Sequence, residues 1–249
     1  MINRLFSNMP PVTKNLLIIN VLIFGAMALI PALDVRLTKW CALHYFTSPG
    51  FNVAQLFTYM FLHASLTHIF FNMFTLVMFG GIIERTMDSR RFLFYYLSCG
   101  IFAALIQMGV YAIMLSKYYT MFPPEEMHRI ISQGWNLLGQ NMTFADPTLA
   151  KINALVNSPM VGASGAIYGI MLAFGMLFPN QPLYLFFIPV PIKAKYLVIG
   201  FAALELLLGI SNNSGDNIAH FCHLGGMLAG LALILYWKKK GVFNNHWFF

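Results

Sequence analysis

The sequence predicts an all-α integral membrane protein with six membrane-spanning helices, and two observations carry this prediction. Of the 249 residues, 59% are hydrophobic and only 9% are charged, whereas a soluble domain carries about 25% charged residues. The apolar runs are also too long for globular strands and reach the ~20 residues that a helix needs to cross a bilayer.

Of the connections between the six predicted spans, the longest lies between the third and the fourth. The spans comprise residues 15–32, 56–83, 91–116, 160–178, 194–211 and 216–237. This division gives a membrane domain at 15–237, an N-terminal segment at 1–14 and a tail at 238–249. No internal repeat is evident, so the inverted repeats that are typical of many transporters find no support.

The long connection between spans three and four is polar and covers residues 117–159. Within it, the stretch MHRIISQGWNLLGQ at 127–140 repeats apolar residues at helical spacing. A helix of this kind could lie flat on the membrane surface. An ordinary loop with one short helix is the alternative that the pattern leaves open.

Basic residues predict the orientation of the bundle. Ten of them fall on the side of the termini, namely Arg4, Lys14, Arg85, Arg90, Arg91, Lys193, Lys195, Lys238, Lys239 and Lys240. Five fall on the other side, namely Arg36, Lys39, Lys117, Arg129 and Lys151. Because short cytoplasmic loops are enriched in basic residues, both termini are predicted to be cytoplasmic and the 117–159 segment to lie outside. The net charge of +7 is therefore a topology signal, and we expect no nucleic-acid partner.

Polar side chains lie in all three spans that start on the outer side of the membrane. They are His63, His68 and Asn72 in span two, Ser164 in span four, and His220 and His223 in span six. At ~1.5 Å per residue, Ser164 and His223 each lie roughly 6–11 Å below the outer ends of their helices. Ionisable groups inside a membrane are costly and indicate function, so this shared depth predicts a functional site.

The residue types at this depth are those that acyl transfer requires. A serine hydroxyl is a weak nucleophile until a base takes its proton, and imidazole is the usual base near neutral pH. His68 and Asn72 are four residues apart and share one helix face, where both can donate hydrogen bonds. Ser164 lies near a helix N-terminus with free backbone N–H groups, which Gly162 and Gly165 leave uncovered. A nucleophile, a base and donors for an oxyanion are therefore all available.

Three motifs resemble those of the rhomboid family of intramembrane serine proteases. GASG at 162–165 is similar to the family's GxSG motif, and HASLTHIFFN at 63–72 is similar to its second-helix signature. HLGG at 223–226 resembles the segment in which the catalytic histidine of the family is followed by glycines. Glu84-Arg85 is also similar to a family feature. The resemblance covers roughly residues 15–237 and implies the basic six-helix bacterial form, a rhomboid-like bundle.

The resemblance implies Ser164 as nucleophile and His223 as general base and acid, a dyad without a catalytic acid. It implies an oxyanion hole made of His68, Asn72 and the Ser164 backbone N–H. Supporting positions are His63 as structural support, Tyr168 as the ring on the catalytic histidine, Gly162 and Gly165 in the serine motif, and Gly226 as the contact between helices four and six. The implied reaction is cleavage of membrane-spanning helices of other proteins, near their outer end, through an acyl-enzyme.

Three further positions are left open by the motifs. His220 also follows an alanine, but the glycine spacing favours His223 as the base and His220 as a hydrogen-bonded residue at the helix mouth. Glu205 lies within span five, where we expect a protonated or hydrogen-bonded structural acid rather than a third catalytic member. The family often has Trp-Arg where this chain has Ala54-Gln55, so the packing of the first outer loop is an open question.

Three other functions are considered. A catalytically inactive rhomboid-like protein that binds membrane helices is the main alternative, and the intact serine and histidine motifs argue against it. A transporter could use His63, His68 and His223 as a proton relay, but repeats and paired membrane carboxylates are missing. A metal site of His63, His68, His220 and His223 would leave Ser164 unexplained.

The expected partners are transmembrane protein substrates and membrane lipids, and the oligomeric state is unknown. Cys41, Cys99 and Cys222 are odd in number and lack metal-like spacing, so we expect no disulfide framework, no metal and no cofactor. Low charge and simple topology favour a bacterial inner membrane. If the chain is a protease, water must reach Ser164 through a polar cavity to which Asn217 is expected to contribute.

Overall fold

The protein is a bundle of helices, described by a computed structural model over residues 8–184, 190–211 and 219–243. In chain order the helices are α1 (Pro11–Leu29), α2 (Pro31–Cys41), α3 (Gln55–Thr58), α4 (Leu66–Thr75), α5 (Gly81–Met87), α6 (Ser89–Met121), α7 (Pro124–Leu138), α8 (Pro147–Asn157), α9 (Ser164–Leu177), α10 (Ala194–Ser211) and α11 (His220–Lys239). A 3₁₀ turn at Tyr59–Phe61 follows α3, and a π-helical turn at Leu76–Gly80 joins α4 to α5. Two short antiparallel strands, β1 (Pro182–Leu183) and β2 (Ile192–Lys193), precede α10.

Five of the described helical segments are long and apolar enough to cross a membrane. They are Pro11–Leu29, Leu66–Met87, Ser89–Met121, Ala194–Ser211 and His220–Lys239. The remaining predicted span, the fourth one at 160–178, corresponds to α9, which has only 14 residues. At ~1.5 Å per residue α9 is about 21 Å long, shorter than the ~30 Å hydrocarbon core.

Helix α9 lies at the centre of the bundle, where ten of its 14 residues are buried. It packs chiefly against α6 and α11. A Cβ atom added at Gly226 of α11 would lie 1.9 Å from the carbonyl oxygen of Gly165, and one added at Gly169 would lie 2.6 Å from Cys99 Sγ. Small residues therefore bring α9 and its neighbours into backbone contact, which fixes where the first turns of α9 and α11 meet.

The 117–159 segment folds as a pair of helices at the C-terminal end of α6. Because α6 has 33 residues, it is about 50 Å long and exceeds the bilayer core. Its last turns pack with α7 and α8 around a second apolar core that includes Leu115, Tyr118, Ile131 and Ile152. The alternative of a loop with one short helix is therefore wrong, since two helices form. Span three also ends at Met121 rather than at residue 116.

Several predicted span limits are corrected by local backbone chemistry. Span two begins at Leu66 rather than at residue 56, because Ser65 caps the helix by accepting a hydrogen bond from the His68 backbone N–H at 3.1 Å. Span one is Pro11–Leu29 and ends before Pro31, which starts α2. Span five, 194–211, is confirmed. Some predicted features lie outside the described residues. These are the start of span six at 216–218, which includes Asn217, and the terminal residues 1–7 and 244–249.

Glu84 joins three helices at the end of the bundle where α1 begins. Its buried carboxylate accepts hydrogen bonds from the backbone N–H groups of Val12 at 3.0 Å and Thr13 at 2.7 Å. The hydroxyls of Thr13 and Ser89 also donate to it, at 2.8 and 2.6 Å. The carboxylate thereby satisfies free donors in the first turn of α1 and holds the start of α6.

Candidate active site

Ser164 and His223 are in direct contact between the first turns of α9 and α11. His223 Nε2 lies 2.8 Å from Ser164 Oγ, a hydrogen-bond distance. The Tyr168 ring stacks on the His223 imidazole with centroids 4.2 Å apart and planes 5° apart, which limits rotation of that ring. A serine hydroxyl held against the nitrogen of an oriented imidazole is the arrangement that activates a nucleophile.

Ser164 is the first residue of α9 and not, as predicted, a few residues inside a helix. The chain reaches it through Gly162, whose φ of +130° is rarely adopted by residues with a side chain. A Cβ atom at Gly162 would lie 2.8 Å from His68 Nε2 and 3.7 Å from Ser164 Oγ. The His68 imidazole and the Ser164 hydroxyl therefore border the same small space, which a side chain at position 162 would fill.

Asn72 presents a buried donor one turn after His68. Its side chain is buried, and in the described part of the chain its Nδ2 atom has no hydrogen-bond partner. A buried polar group without a partner costs free energy, so such groups are retained where a ligand can satisfy them. The Ser164 backbone N–H lies in the first turn of α9, where amides lack partners within the helix. The site thus contains donors suited to an oxyanion.

His63 lies in the non-helical segment before α4, not on the helix as predicted. It is 3% exposed, and neither ring nitrogen has a partner within the residues that the structure covers. Its ring packs edge-on against His68, with centroids 5.1 Å apart. The contact supports the His68 ring from the side.

Glu205 of α10 is buried beside His223. Its Oε2 atom lies 2.5 Å from His220 Nδ1, and its Oε1 atom accepts a hydrogen bond from the Tyr168 hydroxyl. Oε1 also lies 3.1 Å from His223 Nδ1. The expectation of a hydrogen-bonded acid is confirmed, but the adjacency to His223 was not predicted. The one available signal was a lone acid in an apolar span, which cannot reveal its partner.

The four histidines considered as a metal site from the sequence do not form one group in the structure. Within the described ranges, the group that could hold an ion is Glu205, His220 and His223, with ligand atoms within 4.8 Å of one another. His63 and His68 are not part of this group. Both oxygens of Glu205 already have partners, Tyr168 for one and His220 for the other.

A groove of about 500 Å³ opens between α4, α9 and α10. Its lining is mostly apolar and includes Phe71, Phe74, Thr75, Met171 and Phe201. Asn72 and Tyr168 also line the groove, and Tyr168 stacks on His223. The groove therefore reaches Asn72 and the tyrosine that contacts His223.

Comparison with known proteins places these features in a family. A model of the Rhomboid domain matches residues 50–240. The RHOMBOID-like protein 12, mitochondrial, of Arabidopsis thaliana is 32% identical over 192 residues, which are 76% of this chain and 47% of that protein. An uncharacterized mitochondrial rhomboid protein of Schizosaccharomyces pombe is 24% identical over 203 residues, 74% of this chain and 51% of that protein. The rhomboid protease GlpG of Salmonella choleraesuis is 26% identical over 223 residues, 90% of this chain and 62% of that protein.

The chain thus spans about half to three fifths of the length of these relatives. Two of them carry the word mitochondrial in their names and one is bacterial, so they do not support a bacterial inner membrane in particular. Five apolar helices of spanning length identify an integral, multi-pass membrane protein. Since the family model matches most of the sequence, the chain belongs to the rhomboid family.

Proposed function

We propose that the chain is an intramembrane serine protease in which Ser164 is the nucleophile and His223 is the general base and acid. The observation that carries the proposal is the 2.8 Å contact between His223 Nε2 and Ser164 Oγ, made between two helices inside an apolar bundle. The rhomboid protease GlpG of Salmonella, as a relative, supports the same activity.

In the first step Ser164 Oγ attacks the carbonyl carbon of a peptide bond while its proton passes to His223 Nε2. The tetrahedral oxyanion accepts hydrogen bonds from His68, Asn72 Nδ2 and the Ser164 backbone N–H. His223 then gives the proton to the leaving amine, the C–N bond breaks and an acyl-enzyme remains. A water molecule, deprotonated by His223, attacks the acyl carbon and releases the carboxylate and Ser164.

The proposed substrates are membrane-spanning helices of other proteins. In the proposed topology α9 is an additional span, which brings the total to six. Both termini are cytoplasmic and Ser164 lies towards the outer side, as the distribution of basic residues supports. The groove beside α4 and α10 offers an apolar route from the lipid to Asn72 and Tyr168. Because carbonyl groups in a helix are hydrogen-bonded, cleavage requires local unwinding. We therefore expect small or helix-breaking residues at the cleaved bond.

The test is labelling of the purified full chain in detergent with a fluorophosphonate, followed by intact mass and peptide mapping. Wild type, Ser164→Ala and His223→Ala are compared, with Ser116→Ala on the exposed face of α6 as the matched control. We expect one adduct on Ser164 in wild type and in the control, and none in the other two variants. Wild type and the control should also cleave a reconstituted single-span helix, and the other two variants should not.

The alternative of an inactive rhomboid-like protein that binds helices predicts a different result. Folded wild-type protein would then carry no adduct and would bind the helix without cutting it. Cleavage that persists in Ser164→Ala would contradict both the proposed nucleophile and the acyl-enzyme.

A further inference from the structure

We propose that Glu205 is a positioning residue that selects the tautomer and orientation of His223 as a base. The inference rests on the proposed function, since it assigns a role through His223 and not through contact with substrate. It extends the serine–histidine pair to a chain of three groups on three helices, with Ser164 on α9, His223 on α11 and Glu205 on α10.

Three potential donors surround the one carboxylate of Glu205. The Tyr168 hydroxyl reaches Oε1, His220 Nδ1 reaches Oε2 at 2.5 Å, and His223 Nδ1 lies 3.1 Å from Oε1. An ionised carboxylate can only accept hydrogen bonds. The arrangement is therefore fully complementary when Tyr168 carries its proton and both histidines carry a proton on Nδ1.

The position of that proton decides whether His223 can act as a base. A neutral imidazole has one N–H group, so a proton on Nδ1 leaves the lone pair on Nε2. Nε2 is the atom 2.8 Å from Ser164 Oγ, and its lone pair can then take the serine proton. The other tautomer would point the Nδ1 lone pair at the carboxylate, which is repulsive, and would put an N–H against the serine oxygen.

The carboxylate also favours the charged imidazolium that forms when Ser164 gives up its proton. The His223–Glu205 contact is within ion-pair distance but is not aligned as a hydrogen bond in the resting site. Catalytic hydrogen bonds are often loosely aligned before substrate binds. A positive charge on His223 strengthens the attraction to Glu205, and the low dielectric of the bundle increases that attraction.

Glu205 is itself fixed by its surroundings. It is 6% exposed and is held from α9 by Tyr168 and from α11 by His220. Tyr168 both stacks on His223 and donates to Glu205, so the ring plane and the carboxylate are positioned by the same residue. His220 thereby acquires a role in holding Glu205 rather than in contacting Ser164.

The experiment compares wild type with Glu205→Gln, which keeps the size of the side chain and one acceptor oxygen but removes the charge. Glu84→Gln is the matched control, because it makes the same change in a buried, hydrogen-bonded carboxylate that contacts α1 and α6. The readouts are the second-order rate of fluorophosphonate labelling at Ser164 and the kcat and KM of helix cleavage, each per folded molecule.

We expect Glu205→Gln to lower the labelling rate and kcat by on the order of 10- to 1,000-fold, since the orienting group of a serine–histidine pair contributes up to ~10⁴. KM should not change, and Glu84→Gln should label and cleave like wild type. Equal rates for Glu205→Gln and wild type would overturn the inference and leave the proposed function intact. Failure of folded wild type to label would overturn both.

If Glu205→Gln does not fold, a measurement on the unmodified protein still tests the inference. A histidine Nδ1–H facing a carboxylate gives a proton resonance at the low-field end of the NMR spectrum. We expect one such resonance from each of His220 and His223 in wild type, and the His223 resonance is identified by its loss in His223→Ala and its persistence in His220→Ala. Its absence from folded wild type would overturn the tautomer assignment.

Discussion

Gly162 is the residue on which the space beside Ser164 depends. Its φ of +130° disfavours any side chain, and a Cβ atom there would lie 2.7 Å from His68 Cε1. We expect Gly162→Ala to displace His68 and to lower the cleavage rate by on the order of 100- to 1,000-fold, as loss of one oxyanion donor does. Helix cleavage and fluorophosphonate labelling measure this effect, and the thermal midpoint in detergent separates it from unfolding.

Gly109 in α6 provides the control for this substitution. A Cβ atom at Gly109 would meet nothing within 4 Å, and alanine is the better helix former. Gly109→Ala should therefore retain full activity with equal or higher stability. If Gly162→Ala cleaves as fast as Gly109→Ala, the assignment of His68 to the oxyanion hole is wrong.

A second prediction at the residue scale concerns the group formed by Glu205, His220 and His223. Because both carboxylate oxygens already have protein partners, we expect the labelling of Ser164 to need no metal. Dialysis against EDTA should leave the labelling rate unchanged. A rate that falls with EDTA and recovers with added zinc would instead identify a metal site at these three residues.

The motif residues could be grouped from sequence, whereas Glu205 could not. The shared depth of Ser164 and His223 predicted one site, the family resemblance implied that they act as a pair, and the structure brings their side chains together. The contact of Glu205 depends on how α10 packs against α9 and α11. No periodicity within α10 encodes this packing, because all the other residues between Leu197 and Ile210 are apolar.

At the scale of elements, the sequence predicted which segments are helical better than where they begin. The Ser65 cap and the short turn at Gln55–Phe61 divide the predicted second span, because local hydrogen bonds compete with hydropathy there. Gln55, where the family often has Trp-Arg, is fully buried and holds the loop between α2 and α3. Its Nε2 donates to Gly50 O at 2.7 Å and its Oε1 accepts from His44 N at 3.2 Å. This packing follows from tertiary contacts, and the sequence left it open.

The groove between α4 and α10 supports a prediction that separates chemistry from substrate entry. Thr75 lines this groove one turn beyond Asn72. We expect Thr75→Trp to fill part of the 500 Å³ space and to reduce cleavage of a membrane helix by about 10-fold or more, while labelling by a small fluorophosphonate continues. The measurement is the ratio of the two rates in the same preparation.

The matched control is Ile113→Trp on an exposed face of α6, where Ile113 is 75% exposed and does not line the groove. This variant should keep both rates. Equal cleavage by Thr75→Trp and Ile113→Trp would show that the substrate helix does not approach along α4.

For the whole molecule, composition predicted a protein embedded in a membrane, and five of the described helices are of spanning length. The enclosed position of α9 explains why a 14-residue helix suffices at the centre, since ten of its residues are buried by the surrounding protein. The helical pair at 124–157 was not predicted as such, because its core residues come from α6, α7, α8 and the loop residue Tyr45. Amphipathic spacing identified α7 but could not identify its partners.

Glu84 provides the last prediction, at the scale of the whole bundle. Its carboxylate accepts four hydrogen bonds that join α1, α5 and α6. Glu84→Ala would leave the Val12 and Thr13 donors without their partner, so we expect a loss of stability on the order of 3 kcal/mol. The labelling rate of Ser164 per folded molecule should stay near that of wild type, because these contacts involve no residue around Ser164. Denaturation in detergent and active-site titration measure the two quantities separately. A labelling rate that falls with an unchanged denaturation midpoint would mean that Glu84 influences the site directly.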